Sequence, residues 1–313
     1  MPVYGDLMDM RQADILNHME KALQRKQASF RMIRIEHLTE TEAELRQLHA
    51  SGLFQDEFFE ERLTFFRFSP PDDFKNVQSI ILVTVPQPIL IINFMHKGIE
   101  YPVTLPPTYD QHTDQIIREL LETILNHAGY RLMRARIPEK MVAAHSGLIQ
   151  YGRNNIGYAQ NMGSFHRPVT FFTDMPCDTD HWGFPAMMER CKQCRACIKA
   201  CPTHAIGEDR FLLHAERCLT FHNEHLATIP EYVKPSMHHC ILGCMICQQV
   251  CPENRKLKNN TEVREHFTEK ETTDILKGVS YDQLDPVAQK KLDQLSLTED
   301  YSLLARNLGL LLR

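Results

Sequence analysis

Along the first 70 residues, apolar positions recur at three-to-four spacing between charged ones: Ile15, Met19 and Leu23, and less regularly Leu45 and Leu48. That period predicts helix. Pro70, Pro71, Asp72 and Asp73 break it. Ser79 to Val85 is short, uninterrupted, β-branched and followed by Pro86, which predicts a buried strand. Ile89 to Leu105 has two apolar arms around Lys97-Gly98 and predicts a hairpin. From Tyr109 to His127 a helix is expected, with Ile116, Ile117, Leu120, Leu121 and Ile124 on one face and Gly129 as its stop. A short helix from Glu139 to His145 follows Pro138, and Val169 to Thr173 predicts another strand. Helix and strand alternate, so residues 1–180 form an expected α/β domain. The pattern changes over residues 186–257, where short spacings leave room only for small helices. Residues 258–313 are polar and then helical, an expected C-terminal tail. No repeat of solenoid length is present.

Composition narrows the class. The chain has 313 residues, enough for two domains, with 43% hydrophobic and 24% charged residues. Disorder and fibrous repeats are therefore excluded. Thirty-five Lys and Arg against 40 Asp and Glu give −5, which argues against a surface built to grip phosphates. The opening MPVYGDLMDMRQ lacks the basic and apolar regions of a secretory signal. Apolar runs such as Ile80 to Val85 are too short to span a bilayer. A soluble cytoplasmic protein, away from membranes, is the expectation.

Ten cysteines alter the picture, because all of them lie between Cys177 and Cys251. A disulfide framework suits small chains in oxidising compartments, whereas clustered cytosolic cysteines point to metal. Cys191, Cys194, Cys197 and Cys201, followed by Pro202, form C-x2-C-x2-C-x3-C-P, the run of two-cluster ferredoxins, whose fourth cysteine serves the other cluster. Three thiolates in one loop wrap three corners of a cube, and the fourth, at a helical turn, points to a neighbouring cube. A partial second copy, Cys244, Cys247 and Cys251-Pro252, follows. The swap gives Cys191, Cys194 and Cys197 the company of Cys251, and gives Cys244 and Cys247 that of Cys201. One ligand is then missing, because Ile241 occupies the position where a strict copy has cysteine. Cys218 and Cys240 are the candidates. Cys240 is one residue out of spacing, while Cys218 lies on the intervening segment and could reach back. Zinc ribbons also use paired C-x2-C, but they need neither the triplet nor the following proline. Two [4Fe-4S] clusters are expected, with Cys177 a plain thiol and Cys240 a neighbour of the cluster.

Paired cubanes form a wire that needs a terminus, and the long segment before them implies a second redox group or a substrate pocket. No G-x-G-x-x-G follows a strand and no P-loop is present, so nucleotide-driven chemistry is unsupported.

Further motifs bring a resemblance. Gly147-Leu148, then Tyr151-Gly152-Arg153-Asn154-Asn155, is similar to the segment A-G-L-G-W-I-G-K-N-T of the cobalamin-dependent epoxyqueuosine reductases. Gly163-Ser164-Phe165 and Phe171-Phe172-Thr173-Asp174-Met175-Pro176 resemble that family's G-S-W and F-T-D-L-P. The ferredoxin run, Arg217-Cys218-Leu219-Thr220 and Gly243-Cys244 to Cys251-Pro252 extend the likeness, which covers residues 76–257. These enzymes reduce an epoxide in a tRNA wobble nucleoside, and reductive dehalogenases are their more distant relatives. The resemblance implies a base-off corrinoid between the α/β domain and a bacterial ferredoxin-like two-cluster domain. A low-potential carrier such as a ferredoxin or flavodoxin would feed it, for a small-molecule or modified-nucleoside substrate. It favours Cys218 as the eighth cluster ligand. It implies Gly147, Gly152, Arg153, Asn154 and Asn155 at the corrinoid, Tyr109 facing cofactor or substrate, and Thr220, Met245 and Ile246 beneath the ring.

Two departures stand out. Where the family carries a catalytic Asp in D-[ST]-[AG]-P, this chain reads Ala135-Arg136-Ile137-Pro138. Glu139 and Tyr109 are the candidate acids in its place. Residues 258–313 are also too short for the family's helical-repeat extension. With 8 Lys and Arg against 10 Asp and Glu they carry 8 − 10 = −2, an expectation against tRNA. The reading at this level is an iron–sulfur and cobalamin-dependent reductase of open substrate. The alternatives are epoxyqueuosine reductase itself and a non-catalytic corrinoid or electron carrier.

Overall fold

A computed structural model describes residues 11–312. Most of the opening read for a secretory signal lies outside them. In chain order the elements are α1 (Gln12–Gln24), β1 (Ser29–Arg34), α2 (His37–Ala50), α3 (Asp56–Arg62), β2 (Ser79–Pro86), β3 (Ile89–His96), β4 (Ile99–Leu105), α4 (His112–His127), β5 (Leu132–Arg134), α5 (Glu139–His145), β6 (Ile149–Tyr151), β7 (Gly157–Ala159) and β8 (His166–Thr173). The cysteine-rich stretch adds only short helices: α6 (Ala196–Ala200), α7 (Leu219–Asn223) and α8 (Ile246–Gln249). β9 (Thr261–Phe267), α9 (Glu269–Leu276), α10 (Pro286–Gln294) and α11 (Tyr301–Leu311) follow.

The main sheet has the order β1-β2-β8-β5, every pair antiparallel. Seven of the eight residues of β2 are buried, because both faces of this central strand are covered. On one face Ile81, Val83 and Phe171 pack against Ile15, Met19 and Leu23 of α1 and Ile117, Leu121 and Leu125 of α4. On the other, Ile80, Leu82 and Phe172 meet Ala135, Ile137 and the α5 residues Val142, Ala143 and Ala144. The alternating pattern thus gives an α/β layer, as expected.

Three readings are corrected. The first 70 residues are not wholly helical, since β1 interrupts them. Six residues with only Met32 and Ile33 buried are too few to reveal a period of two. α4 starts at His112, and Tyr109 lies in the preceding 3-10 turn, Pro107–Tyr109. Its inward stripe is Thr113, Ile117, Leu121 and Leu125, while Ile116 is exposed. The C-terminal segment opens with a strand, β9, which pairs parallel to β3 and completes a sheet of order β4-β3-β9. This sheet, Ile241, Leu242 and Leu292, Leu304 and Leu308 from α10 and α11 share one core. The expected β3–β4 hairpin turns at Lys97 and Gly98, both with positive φ (52° and 73°). Among the described residues no helix is long and apolar enough to cross a membrane.

Candidate iron–sulfur centres and the adjoining cleft

Cys191, Cys194, Cys197 and Cys251 line one small cavity. Its remaining wall includes Gly152, Arg153, Asn154 and Tyr158. Arg153 donates from Nε (3.0 Å) and Nη2 (2.7 Å) to the Cys191 carbonyl, which ties the α/β layer to the cysteine loop. Asn154 donates to the Tyr158 hydroxyl at 3.1 Å, and that hydroxyl is hydrogen-bonded to the Cys251 thiol. Burial, with added repulsion from Cys251 and Cys194, pushes the Cys191 thiol up.

A second set gathers beside it. Burial pushes the Cys244 and Cys247 thiols up, and so do Cys218 and Cys201, which face both of them. Cys197, the second residue of α6, and Cys201, just past its end, pack with Cys218 and Cys247 around Ala205 and Ile206. The two sets therefore touch through Cys197. Among the described residues, no three His, Cys, Asp or Glu are arranged to hold one metal ion. A tetrahedral zinc with Zn–S near 2.3 Å would draw its sulfurs to about 3.8 Å from one another. Four thiols around a cavity suit instead a group with several cationic iron atoms that spread the ligands apart.

Cys240 adjoins the second set, and its charge also raises Cys244. It is 1% exposed in an apolar cluster with Ile89, Phe165 and Met245, and burial pushes its thiol to about 12. Cys177 is buried beneath the main sheet, donates to the Thr179 carbonyl at 3.3 Å and is raised to about 11.

A large cleft of about 950 Å³ lies between the main sheet and the cysteine-rich segment. Ser29, Arg31 and Thr84 form one wall, residues 147–150 and 158–161 another, and 252–257 the third. It shares Tyr158 and Pro252 with the first thiol cavity. Arg31, Arg190, Arg255 and Lys256 face it against a single acid, Glu253, which pairs with Arg190 at 2.6 Å.

The residues that the resemblance placed at a corrinoid divide among three places. Gly147 lines the large cleft. Gly152, Arg153 and Asn154 line the first thiol cavity, and buried Asn155 accepts from Lys140 Nζ at its carbonyl (2.8 Å) and Oδ1 (2.9 Å). Tyr109, Thr220, Met245 and Ile246 lie around the second thiol set. Tyr109 seats on Gly243, Thr220 hydrogen-bonds to Cys218, and Met245 and Ile246 stand between Cys244 and Cys247. Glu139 forms an ion pair with Arg134 at 2.6 Å and accepts from Thr170 Oγ1 at 3.0 Å. Burial raises its carboxyl, opposed by Arg134 and Arg167. Residues that sequence reasoning missed include Lys140, whose ammonium burial lowers to about 8, and Glu224, which accepts from the Tyr109 hydroxyl. A lone Lys or Glu in a polar run carries no spacing signal, so neither was detectable.

Fold and thiol sets together define an α/β protein with a two-cluster iron–sulfur domain. Residues 190–254 match the 4Fe-4S double cluster binding domain. Part of the chain is similar to epoxyqueuosine reductases. It is 34% identical over 146 residues to that of Pseudomonas aeruginosa (45% of this chain, 39% of the relative). It is 35% identical over 155 residues to that of a Synechococcus strain (47% of each). The chain thus spans less than half the length of these curated relatives. In three dimensions the epoxyqueuosine reductase of Streptococcus thermophilus matches with TM-score 0.64 at 18% identity, over 96% of this chain and 81% of that one.

A further solved epoxyqueuosine reductase of this fold (TM-score 0.62, 16% identity, 96% of this chain and 80% of that one) holds a modified tRNA stem loop. The expectation against tRNA is therefore not borne out. Three of the ten anions of residues 258–313 have the following partners within the chain. Glu271 pairs with Lys291 at 2.8 Å, Glu269 accepts from the Lys97 and Gly98 amides, and Asp274 pairs with Lys270. Arg190, Arg255 and Lys256 are exposed cations at the large cleft.

Proposed function

We propose that this protein is an iron–sulfur and corrinoid-dependent reductase of the epoxyqueuosine reductase type, acting in the cytoplasm on a modified nucleoside of tRNA. Two adjoining sets of four thiols beside a cleft of about 950 Å³ carry this reading. A cleft of that size lies at the upper end of the roughly 300–1,000 Å³ of small-ligand sites and has room for a large ligand. In this reading Cys191, Cys194, Cys197 and Cys251 hold one [4Fe-4S] cluster, and Cys201, Cys218, Cys244 and Cys247 the other. Gly147 and the basic side chains Arg31 and Arg255 would receive the corrinoid and its phosphate tail. Asn154, on the first thiol cavity that adjoins this cleft, would approach the ring.

When bound, the clusters and corrinoid supply single electrons at low potential to the substrate. Conversion of an epoxide to an alkene consumes two electrons and two protons, and the oxygen leaves as water. The electrons come from a carrier such as a ferredoxin or flavodoxin. The chain's own tasks are to hold the thiols, keep the interdomain space dry and deliver protons. Ala135, buried where the relatives by resemblance carry an acid, favours as a second reading the same machinery acting on another substrate.

Anaerobic purification with added cobalamin, followed by metal analysis, spin-resonance spectroscopy and turnover of epoxyqueuosine-containing tRNA, tests the proposal. About eight iron and one cobalt per chain, with loss of the epoxide oxygen, is the expected result. Zinc in place of iron overturns the cofactor assignment. Full cofactor loading without epoxide reduction moves the conclusion to the second reading.

A further inference from the structure

The large cleft is floored by a hydroxyl that no group among the described residues satisfies. Thr84 of β2 lines the cleft and is 0% exposed, and its Oγ1 is a buried atom with no hydrogen-bond partner. A buried hydroxyl left unpaired costs stability, and a valine would fill the same space without that cost. Pro168 of β8 lies beside Thr84 with no N–H and no polar side chain, and Ser29 of β1, on the other side, presents a further hydroxyl. Residues directly across a sheet share a face, as do residues two apart along a strand. Ser29, Arg31 and Thr84 therefore stand on one face of the main sheet, and all three line the cleft. Arg31 donates from Nη1 to the Phe30 carbonyl at 2.9 Å, which steadies its guanidinium there. Elsewhere the cleft shares Tyr158 and Pro252 with the cavity of Cys191, Cys194, Cys197 and Cys251. Its charged lining is four cations, Arg31, Arg190, Arg255 and Lys256, against the single acid Glu253, in a chain whose net charge is −5. An anionic ligand with hydrogen-bonding groups suits such a lining.

We propose that Ser29, Arg31 and Thr84 form a subsite for the phosphate-bearing nucleotide tail of the corrinoid, so that the protein selects complete corrinoids over tail-less ones. The inference rests on the corrinoid reading and adds to it which part of the ligand lies where. The ring is the redox-active part, and electron transfer weakens steeply with distance. The ring therefore belongs beside Tyr158 and Pro252, next to the thiols, and the sheet floor is left for the tail. Charge agrees with this division. The periphery of the ring carries neutral amides, so the surplus of cations singles out the phosphodiester of the tail. Arg31 suits that phosphate, with its planar fork of donors and its permanent charge. The Thr84 hydroxyl has one hydrogen to donate to a phosphate oxygen and lone pairs to accept from a ribose hydroxyl. Arg255 and Lys256 face the same ligand from the segment that follows Cys251. The unpaired hydroxyl of Thr84 is then a cost to the empty protein that the bound tail removes.

The test is anaerobic equilibrium dialysis of the cluster-loaded full chain against cobalamin and against cobinamide, which has the same ring but lacks the phosphate, ribose and base. The wild type is expected to bind cobalamin about 100-fold more tightly than cobinamide. Arg31→Gln should weaken cobalamin binding about 100-fold and Thr84→Val about 10-fold, each leaving cobinamide within about threefold of wild type. Thr84→Ser, which keeps the hydroxyl, should bind cobalamin as the wild type does. Thermal denaturation without corrinoid separates binding from folding: Thr84→Val is expected to melt no lower than wild type, because it removes an unpaired buried hydroxyl. Equal wild-type affinity for the two corrinoids overturns the inference alone. So do variants that keep wild-type cobalamin binding, or that lose cobinamide in parallel, and so does a Thr84→Val chain that melts lower, since the hydroxyl then serves the fold. Variants that lose affinity for tRNA while keeping the preference for cobalamin assign these residues to an RNA phosphate and likewise overturn it. A wild type that binds neither corrinoid overturns the corrinoid reading itself, and the inference with it.

Discussion

Trp182 is the only tryptophan of the chain, and its indole lies between two imidazoles. His37 stacks on it at 4.3 Å and 9°, and His145 at 4.3 Å and 12°. The indole Nε1 donates to Glu40 at 2.8 Å. His145 faces an acceptor on each nitrogen, the Gly183 carbonyl and Glu44 Oε2, both at 2.7 Å. A neutral imidazole has one N–H, so only the imidazolium satisfies both acceptors. Burial opposes that charge, but these two bonds and the charges of Glu44 and Glu40 outweigh it and hold the pKa above the ordinary 6.5. A raised histidine pKa contributes stability that is complete below 6.5 and is lost as pH rises through the higher folded-state value. Glu44 is 40% exposed, so solvent limits the ion pair to about 0.5–1 kcal/mol. The stack adds about 0.5–1.5 kcal/mol. His145→Ala should therefore cost about 1–2.5 kcal/mol in mildly acidic buffer, and less once His145 is neutral. The assay is indole emission against pH. A stacked imidazolium quenches indole, so wild-type emission should rise with pH, with a midpoint above 6.5. The difference curve against His145→Ala isolates this component, since His37 and the clusters act on both proteins. A difference curve that is flat, or centred at or below 6.5, refutes the reasoning.

Cys218→Ala should halve the bound iron, from about eight to about four per chain, while Cys240→Ala leaves it unchanged; iron assay and spin resonance decide. Asn254 is fully buried, donates to Ser164 Oγ (2.7 Å) and the Gln248 carbonyl (2.8 Å) and accepts from the Ser164 amide (2.9 Å). Asn254→Ala strands these groups between the two halves and should cost about 3 kcal/mol, read as a lower denaturation midpoint. Asn307→Ala removes donors to the Asn223 and Ile241 carbonyls (2.9 and 2.8 Å) and should cost about 2 kcal/mol. Its second cluster should be lost to a chelator faster than the first, as followed by spin resonance.

The elements easiest to read were those whose pattern is local. β2 has a continuous apolar run, the β3–β4 turn needs positive φ at Lys97 and Gly98, and α5 follows Pro138, so each falls where the sequence predicts it. β1 and β9 were invisible because a strand with few buried residues is defined by its partner, and no local period reveals that Thr261 pairs beside Ile89. The same division holds at the site. Cysteine spacing groups Cys191, Cys194 and Cys197 because one loop presents all three. The company of Cys218 depends on α7 folding back towards Cys244, which spacing alone leaves open between Cys218 and Cys240. Glu224, Arg62 and Tyr109 come from three elements, and only the folded chain shows that they meet.

The C-terminal segment explains why α7 can fold back. α7 has five residues, too few to be stable alone, yet it carries Cys218 at its N-cap and Glu224 at its C-cap. Its main-chain carbonyls are taken by α11: Arg306 donates to those of His222 (2.9 Å) and His225 (2.6 Å), and Asn307 to that of Asn223. α11 is in turn anchored by Leu304 and Leu308 in the core shared with β3, β4 and β9. The hairpin from the first third of the chain and the last helices therefore form a single brace. Its rigid face fixes α7, with Cys218 at one end and the acid that faces Tyr109 at the other. Residues 258–313 thus act on the site from behind, by holding the segment on which a cluster ligand and Glu224 both depend.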